Sequence, residues 1–401
     1  MKNPELRFKN DIDDWEEKEL GHILNYRRGS FPQPYGLPEW YDEQYGKPFI
    51  QVADVNDNLK INKETKKHIS KIAEPYSVFV QKGTIIITLQ GTIGRVAITH
   101  YDAFVDRTLL IINNYKINID KNYLKYILYL LFDKEKQNAD GGIIKTITKE
   151  TLTKFIIPIP DLNIQKEIVK ILENIDTKIE TQEQKVEKLK IFKSAMLDKM
   201  FPKEGQKVPE IRFDGFSGDW EEKYMKDICF INQGLQIDIS ERFLIPGNNR
   251  YFYITNEFLK DSCEKIFYIE NPNESVICNN DDILMTRTGN TGIVVTNVSG
   301  CFHNNFFKIN YNKELCDKLF LVTFLKRNTV HNKIIELAGG STILDLKHKD
   351  FLNMNIILPT LEEQEKIGKY FEELDNKIEL EISKLNKLKD IKNAMLNKLL
   401  P

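Results

Sequence analysis

Asn271 to Glu274, reading Asn-Pro-Asn-Glu, is the stretch of this 401-residue chain nearest to a motif that performs chemistry. Amino-methyltransferases grip a flipped base with Asp/Asn/Ser-Pro-Pro-Tyr/Phe, and here the second proline and the stacking aromatic are both missing. His-Glu-x-x-His, Gly-x-Ser-x-Gly, Gly-x-Gly-x-x-Gly and the phosphate-cradling Gly-x4-Gly-Lys-Ser/Thr are absent too. Asp281 and Asp282 are adjacent carboxylates, but they read as a solvated turn rather than a nuclease metal site. The six histidines are scattered without ligand spacing. The five cysteines (Cys229, Cys263, Cys278, Cys301 and Cys316) are odd in number and form no Cys-x-x-Cys, so they read as buried free thiols. The chain is therefore read as a non-enzyme, with no metal site and no cofactor of its own.

A second kind of chemistry is present in quantity. Hydrogen-bond readout of base edges needs forked donors and acceptors, Arg for guanine and Asn or Gln for adenine. Divergent polar residues of this kind stand around otherwise aligned positions of the two halves, among them the glycine-anchored loops QGTIG and TRTGNTG. The candidates are Gln90, Thr92, Arg95, Asp106 and Arg107 in the first half of the chain, and Arg287, Thr288, Asn290, His303, Asn304 and Asn305 in the second. The alternative for each is a satisfied turn or a surface side chain. The loop glycines read as conformational, turning tightly between two strands. The run KINKETKKHISK (Lys60 to Lys71) and Arg27, Arg28 and Arg250 either touch phosphates or form a solvated face.

What must position these residues is written twice. PELRFKNDIDDWEEKELGHILNYRRG near the start recurs as PEIRFDGFSGDWEEKYMKDICFINQG from Pro209, so that Trp15 and Gly29 align with Trp220 and Gly234. GTIIITLQGTIGRVAI from Gly83 aligns with DDILMTRTGNTGIVVT from Asp281. Gly-Gly pairs (Gly141 and Gly142; Gly339 and Gly340) and proline exits, IIPIPDLNIQ and IILPTLEEQ, precede two tails. The tails end in KVEKLKIFKSAMLDKMFP from Lys185 and KLNKLKDIKNAMLNKLLP from Lys384. The chain is thus two tandem units of about 200 residues each. Each globular part reads as short strands followed by a helix, at about 121 to 132 and 314 to 326, which predicts an α+β fold.

Both tails carry a heptad stripe. The first runs through Ile168, Ile175, Ile179, Val186, Leu189 and Met196, the second through Ile367, Leu374, Ile378, Leu385, Leu388 and Met395. A helix of about 40 residues is about 60 Å long, and a long striped helix duplicated in one chain is better buried against its twin than alone. The connectivity predicts an antiparallel pair with the globular parts at opposite ends of a rod. The polar interruptions predict a charge-matched register, with Lys193 opposite Glu381, Gln182 opposite Lys392, Ile179 against Met395 and Val186 against Leu388. The expected segments are 1–160 (first globular part), 161–202 (central helix), 203–359 (second globular part) and 360–401 (C-terminal helix pairing with the central one).

Composition accords with two soluble domains. The chain is 41% hydrophobic and 29% charged, with no apolar run long enough to span a bilayer and no secretory leader, so it is read as cytoplasmic. A net charge of −2 argues against a protein that coats nucleic acid unaided.

The W…G entry segment, the glycine hairpin, the exit IPIPDLNIQKEIVKILENID with its twin ILPTLEEQEKIGKYFEELD, and the doubled LK…K.AML.K tail together resemble the specificity subunit of type I restriction–modification systems over essentially the whole chain. The resemblance implies two tandem, pseudo-symmetric target recognition domains separated by a long antiparallel two-helix coiled coil. Each domain would read one half of a split, asymmetric site in double-stranded DNA. The helix pair would carry two adenine methyltransferase (modification) subunits, with restriction/helicase subunits added outside; S-adenosylmethionine, magnesium and ATP would serve those partners. Two other readings stay open: the specificity subunit of a stand-alone methyltransferase-nuclease that cuts on both sides of its site, and a non-DNA coiled-coil adaptor.

Overall fold

The computed structural model describes residues 4–138, 149–260, 265–339 and 344–400. Gly141, Gly142, Gly340 and Cys263 lie outside them. The chain divides into two compact units, Met1–Glu183 with Lys384–Pro401, and Gln184–Ser383. Each contains one globular head and a part of both long helices.

The first head builds two four-stranded sheets. One orders Leu24–Arg28, Leu109–Tyr115, Ile85–Thr88 and Val96–Ile98, all antiparallel. The other orders Lys67–Ile69, Lys47–Ile50, Ala103–Val105 and Val78–Val80, with the middle pair parallel. The second head repeats both: Cys229–Gln233, Phe306–Tyr311, Ile283–Thr286 and Val294–Val295; then Tyr268–Glu270, Arg250–Ile254, Gly300–Phe302 and Ile277–Cys278, again with a parallel middle pair. The α+β class and the tandem organisation follow. The head helices are Lys121–Asn138 and the shorter Lys318–Leu325. The latter starts later than its apolar pattern predicts because Asp317 caps it, accepting from the Phe320 N–H.

The duplicated motifs acquire physical reasons here. In DWEEK the tryptophan is buried (Trp15, Trp220) and the charged residues form a short strand that pairs antiparallel with the proline exit, Glu16–Glu19 with Ile156–Ile159 and Glu221–Tyr224 with Asn355–Leu358. Next to each exit a buried glutamine ties the two helix starts together. Gln165 donates to the Pro160 carbonyl and accepts from the Asp120 N–H, both at 2.9 Å; Gln364 does the same with Pro359 and Asp317 at 3.0 and 2.9 Å.

The long helices span Leu162–Lys199 and Leu361–Leu399. Within each unit their segments run antiparallel, as the ion pairs record: Lys392–Asp176 and Lys389–Glu183 in the first, Lys193–Asp375 and Lys185–Glu381 in the second. The seam positions Ile168, Ile179, Val186, Ile367, Leu374 and Ile378 are buried, while Ile175, Leu189, Met196, Leu385, Leu388 and Met395 are half-buried. The expected register is corrected. Lys193 meets Asp375 rather than Glu381, and Lys392 meets Asp176 rather than Gln182, a shift of about one heptad. Glu381 is buried, yet Lys185 neutralises it at 2.9 Å from the edge of the seam.

The helix segments also complete the cores. Leu396, Leu399 and Leu400 belong to the core of the first unit, Met200 and Phe201 to that of the second. Each copy of the duplicated tail thus closes one head. One difference breaks the symmetry. In the first unit the Tyr126 hydroxyl donates to Asp176 at 2.6 Å, beside Lys392. In the second Thr323 stands at that position, and a cleft of about 350 Å³ opens between Thr323, Lys193, Lys318 and Asp375. Tyr126→Phe is expected to lower stability by about 1.5 kcal/mol, the value of a hydrogen bond to a charged group, and Thr323→Tyr to fill the cleft and raise the melting temperature. Denaturant titration checks the first and thermal unfolding the second; an unchanged midpoint for Tyr126→Phe would mean that Lys392 alone satisfies Asp176.

Candidate nucleic-acid interface

In each head the glycine hairpin and the downstream turn meet at one rim. The Leu89 N–H donates to the Thr108 carbonyl at 2.9 Å, and the Arg287 N–H to the Asn305 carbonyl at 2.7 Å. The hairpins themselves are closed by buried threonines. Thr88 donates to the Thr92 carbonyl and accepts from the Arg95 N–H; Thr286 does the same with Asn290 and Ile293. Gly91, Gly94, Gly289 and Gly292 have φ of 67°, 83°, 84° and 86°, a left-handed backbone that calls for glycine at these turns.

The candidate readers divide by what holds them. Gln90, Thr92 and Asn290 are exposed at the hairpin tips. Arg95 turns back instead, its fork on Asp57 and on the Val55 carbonyl. Arg287 is likewise occupied, donating to both Asp345 oxygens at 2.7 and 2.8 Å and to Gln233 at 3.1 Å. Thr288 donates to the same carboxylate, and these bonds hold Asp345 below the usual carboxylate range. Burial, and then the charge of Arg242, lower the pKa of His303; its neutral ring accepts from the Asn305 N–H at 3.1 Å. The Asn304 amide donates to Gln236 at 3.2 Å. Arg107 is exposed, with its guanidinium 5.4 Å above the Tyr35 ring.

Among the basic residues of doubtful role, Lys60 pairs with Glu180, Lys67 with Glu43 and Arg250 with Glu270, while Lys63, Lys66 and Arg28 are exposed. Three rim residues had no signal in the sequence: Tyr35, Gln51 and Gln236. Tyr35 lies in FPQPYG, which reads only as a turn, and nothing in spacing connects it with Asp106. Among the described residues no cluster of His, Cys, Asp and Glu is arranged to hold a metal ion. Burial pushes the thiols of Cys229, Cys301 and Cys316 up to about 12 and that of Cys278 up to about 11, so they stay protonated and inert. No helix among the described residues is long and apolar enough to cross a membrane.

Two heads of one topology, each with a polar rim of turns and each closed by an antiparallel helix segment, define a tandem scaffold of two like halves. The chain matches the family described as type I restriction modification DNA specificity domain over residues 12–190 and 217–390, and it belongs to that family: it is a specificity subunit that recognises DNA sequence. Two Methanocaldococcus jannaschii proteins named as specificity subunits of the type I restriction enzymes MjaX and MjaVIII are 27% and 23% identical to it, over 97% of this chain and 93% and 92% of theirs. The crystal structure of a type I restriction–modification S subunit from M. genitalium shares the fold, with a TM-score of 0.61 at 17% identity over 100% of this chain and 99% of that one. A chain from a structure of a type I R-M system has a TM-score of 0.57 at 16% identity over 96% of this chain and 97% of its own.

Proposed function

We propose that this chain reads a split, non-palindromic site in double-stranded DNA, one half with each head, and directs adenine methyltransferase and restriction subunits to it without being an enzyme itself. The observation that carries the reading is the contrast between heads whose strands repeat in order and direction and rims whose side chains do not. The Asp106–Arg107–Thr108 turn in one is His303–Asn304–Asn305 in the other. Identical frames with different polar residues give two half-sites of different sequence, since base identity is read by side-chain forks and not by the strands beneath them. Partner docking is supported by apolar side chains left exposed on the long helices: Ile191, Phe192 and Leu380 in the second unit and Ile391 in the first. Partner subunits would supply much of the phosphate neutralisation that a chain of net charge −2 lacks. S-adenosylmethionine, magnesium and ATP would be used by those partners, in the cytoplasm.

Sequencing the methylome of a host that carries this chain with its methyltransferase is expected to reveal one adenine-methylated motif made of two unlike halves and an unspecified gap. A palindromic or continuous motif would defeat the reading.

A further inference from the structure

We infer that Arg107 reads a guanine in the half-site of the first head, pre-organised by Tyr35 and Asp106; this rests on the DNA-reading role proposed above. The turn that presents Arg107 is rigid. The Asp106 N–H donates to the Ile50 carbonyl and the Leu109 N–H to the Asp106 carbonyl, each at 3.0 Å, and the Gly29 N–H donates to Leu109 at 3.0 Å. A Cβ on Gly29 would lie 2.3 Å from the Asp106 and Val105 carbonyl oxygens, so that strand can press on the turn only as glycine.

Above this turn the side chains form a continuous chain of bonds. Asp106 is buried; one oxygen accepts from the Tyr35 hydroxyl at 2.5 Å, the other from the Thr108 N–H and hydroxyl at 2.8 and 2.5 Å. Gln51 donates to the Tyr35 oxygen at 2.7 Å. The phenol is thus fixed from two sides and its ring becomes a platform for the guanidinium. Both Asp106 oxygens are taken, and among the described residues Arg107 forms no ion pair. The guanidinium carbon lies 5.4 Å from the ring centroid, a cation–π approach, and with no carboxylate in its fork its donors are left for a planar acceptor pair, which O6 and N7 of guanine supply in the major groove. Arg95 and Arg287, the other rim arginines, have carboxylates in their forks.

The second head holds the same turn by the same bonds, His303 N–H to Ile254 at 2.9 Å, Phe306 N–H to His303 at 2.9 Å and Gly234 N–H to Phe306 at 3.1 Å, with Gly234 pressed on it as closely. There the position of Arg107 is taken by Asn304, whose amide is turned to Gln236 and whose Oδ1 is buried without a partner. No arginine fork stands at that point, so this guanine contact has no counterpart at the equivalent position of the second head.

The test uses the full chain assembled with its methyltransferase, comparing wild type, Arg107→Ala, Arg107→Lys and Tyr35→Phe on a DNA library randomised across the site. Arg107→Ala is expected to relax the preference at one G·C pair by about 10- to 100-fold and to leave the half read by the second head unchanged. Arg107→Lys keeps the charge and loses the fork, so it should relax the same position. Tyr35→Phe keeps the platform ring but frees it from Asp106, and should give a smaller relaxation at that position. Uniform weakening without a change in base preference, with Arg107→Lys behaving as wild type, would make Arg107 a phosphate contact and overturn the inference alone. A wild-type complex with no split motif would overturn the parent reading and this inference together.

Discussion

A fragment of residues 1–202 is expected to dimerise. It carries one head and the whole first long helix but lacks Lys384–Pro401, the segment that belongs to its own compact unit. Leu396, Leu399 and Leu400, all below 5% exposed, would be missing from the core around Trp15, Tyr123 and Ile168. Burying side chains of this size is worth about 1.5–3 kcal/mol each, so the isolated head faces a loss comparable with the whole stability of a domain. A second copy can make it good. Its residues 185–202 are the near-duplicate of 384–401, with Leu197, Met200 and Phe201 standing where Leu396, Leu399 and Leu400 stand. Exchange of these ends between two copies is an isologous two-fold arrangement, which closes. Light scattering at tens of micromolar should find a dimer, and with methyltransferase present the methylated motif should become a palindrome of the first half-site. A fragment both folded and monomeric would show that the head does not need the duplicated segment.

Breaking the Arg212–Glu363 pair is expected to cost the second unit about 3–5 kcal/mol, the usual penalty when one member of a buried ion pair is removed and the other is left behind. Two parallel bonds of 2.7 Å join the guanidinium to the carboxylate, and the carboxylate side chain is 0% exposed. A third bond of 2.7 Å goes from Arg212 to the Gly218 carbonyl, tying the entry segment of the second head to the first turn of the second long helix. Arg212→Met should therefore destabilise the second unit, while Arg212→Met with Glu363→Leu should recover most of the loss by removing both charges. The first unit offers an internal control. Ile164 stands there in place of Glu363, and Arg7 pairs with Asp11 instead. Hydrogen exchange resolved by segment should show the loss confined to the second unit; a penalty below about 1 kcal/mol would mean that water reaches Glu363.

Features repeated or periodic along the chain were determined by the sequence itself. The duplication announced two heads of one fold and the heptad stripes announced the antiparallel helix pair, because each of these is a statement about neighbours in sequence or about identity between two stretches. Polar partnerships were decided by the tertiary structure. The observed register sets Glu381 beside Lys185, which lies next to the stripe and not in it, and so carried no weight in a pattern of seam positions. Arg287 and Arg107 are equally good guanine readers as letters. Only folding puts Asp345 into the fork of the first, and sets Tyr35, 71 residues from Asp106, beneath the second. The tail is the same kind of case: its repetition is plain in the sequence, but that each copy seals the core of one head depends on where the antiparallel helices end, and burial of a few apolar side chains at those ends is a property of the packed molecule alone.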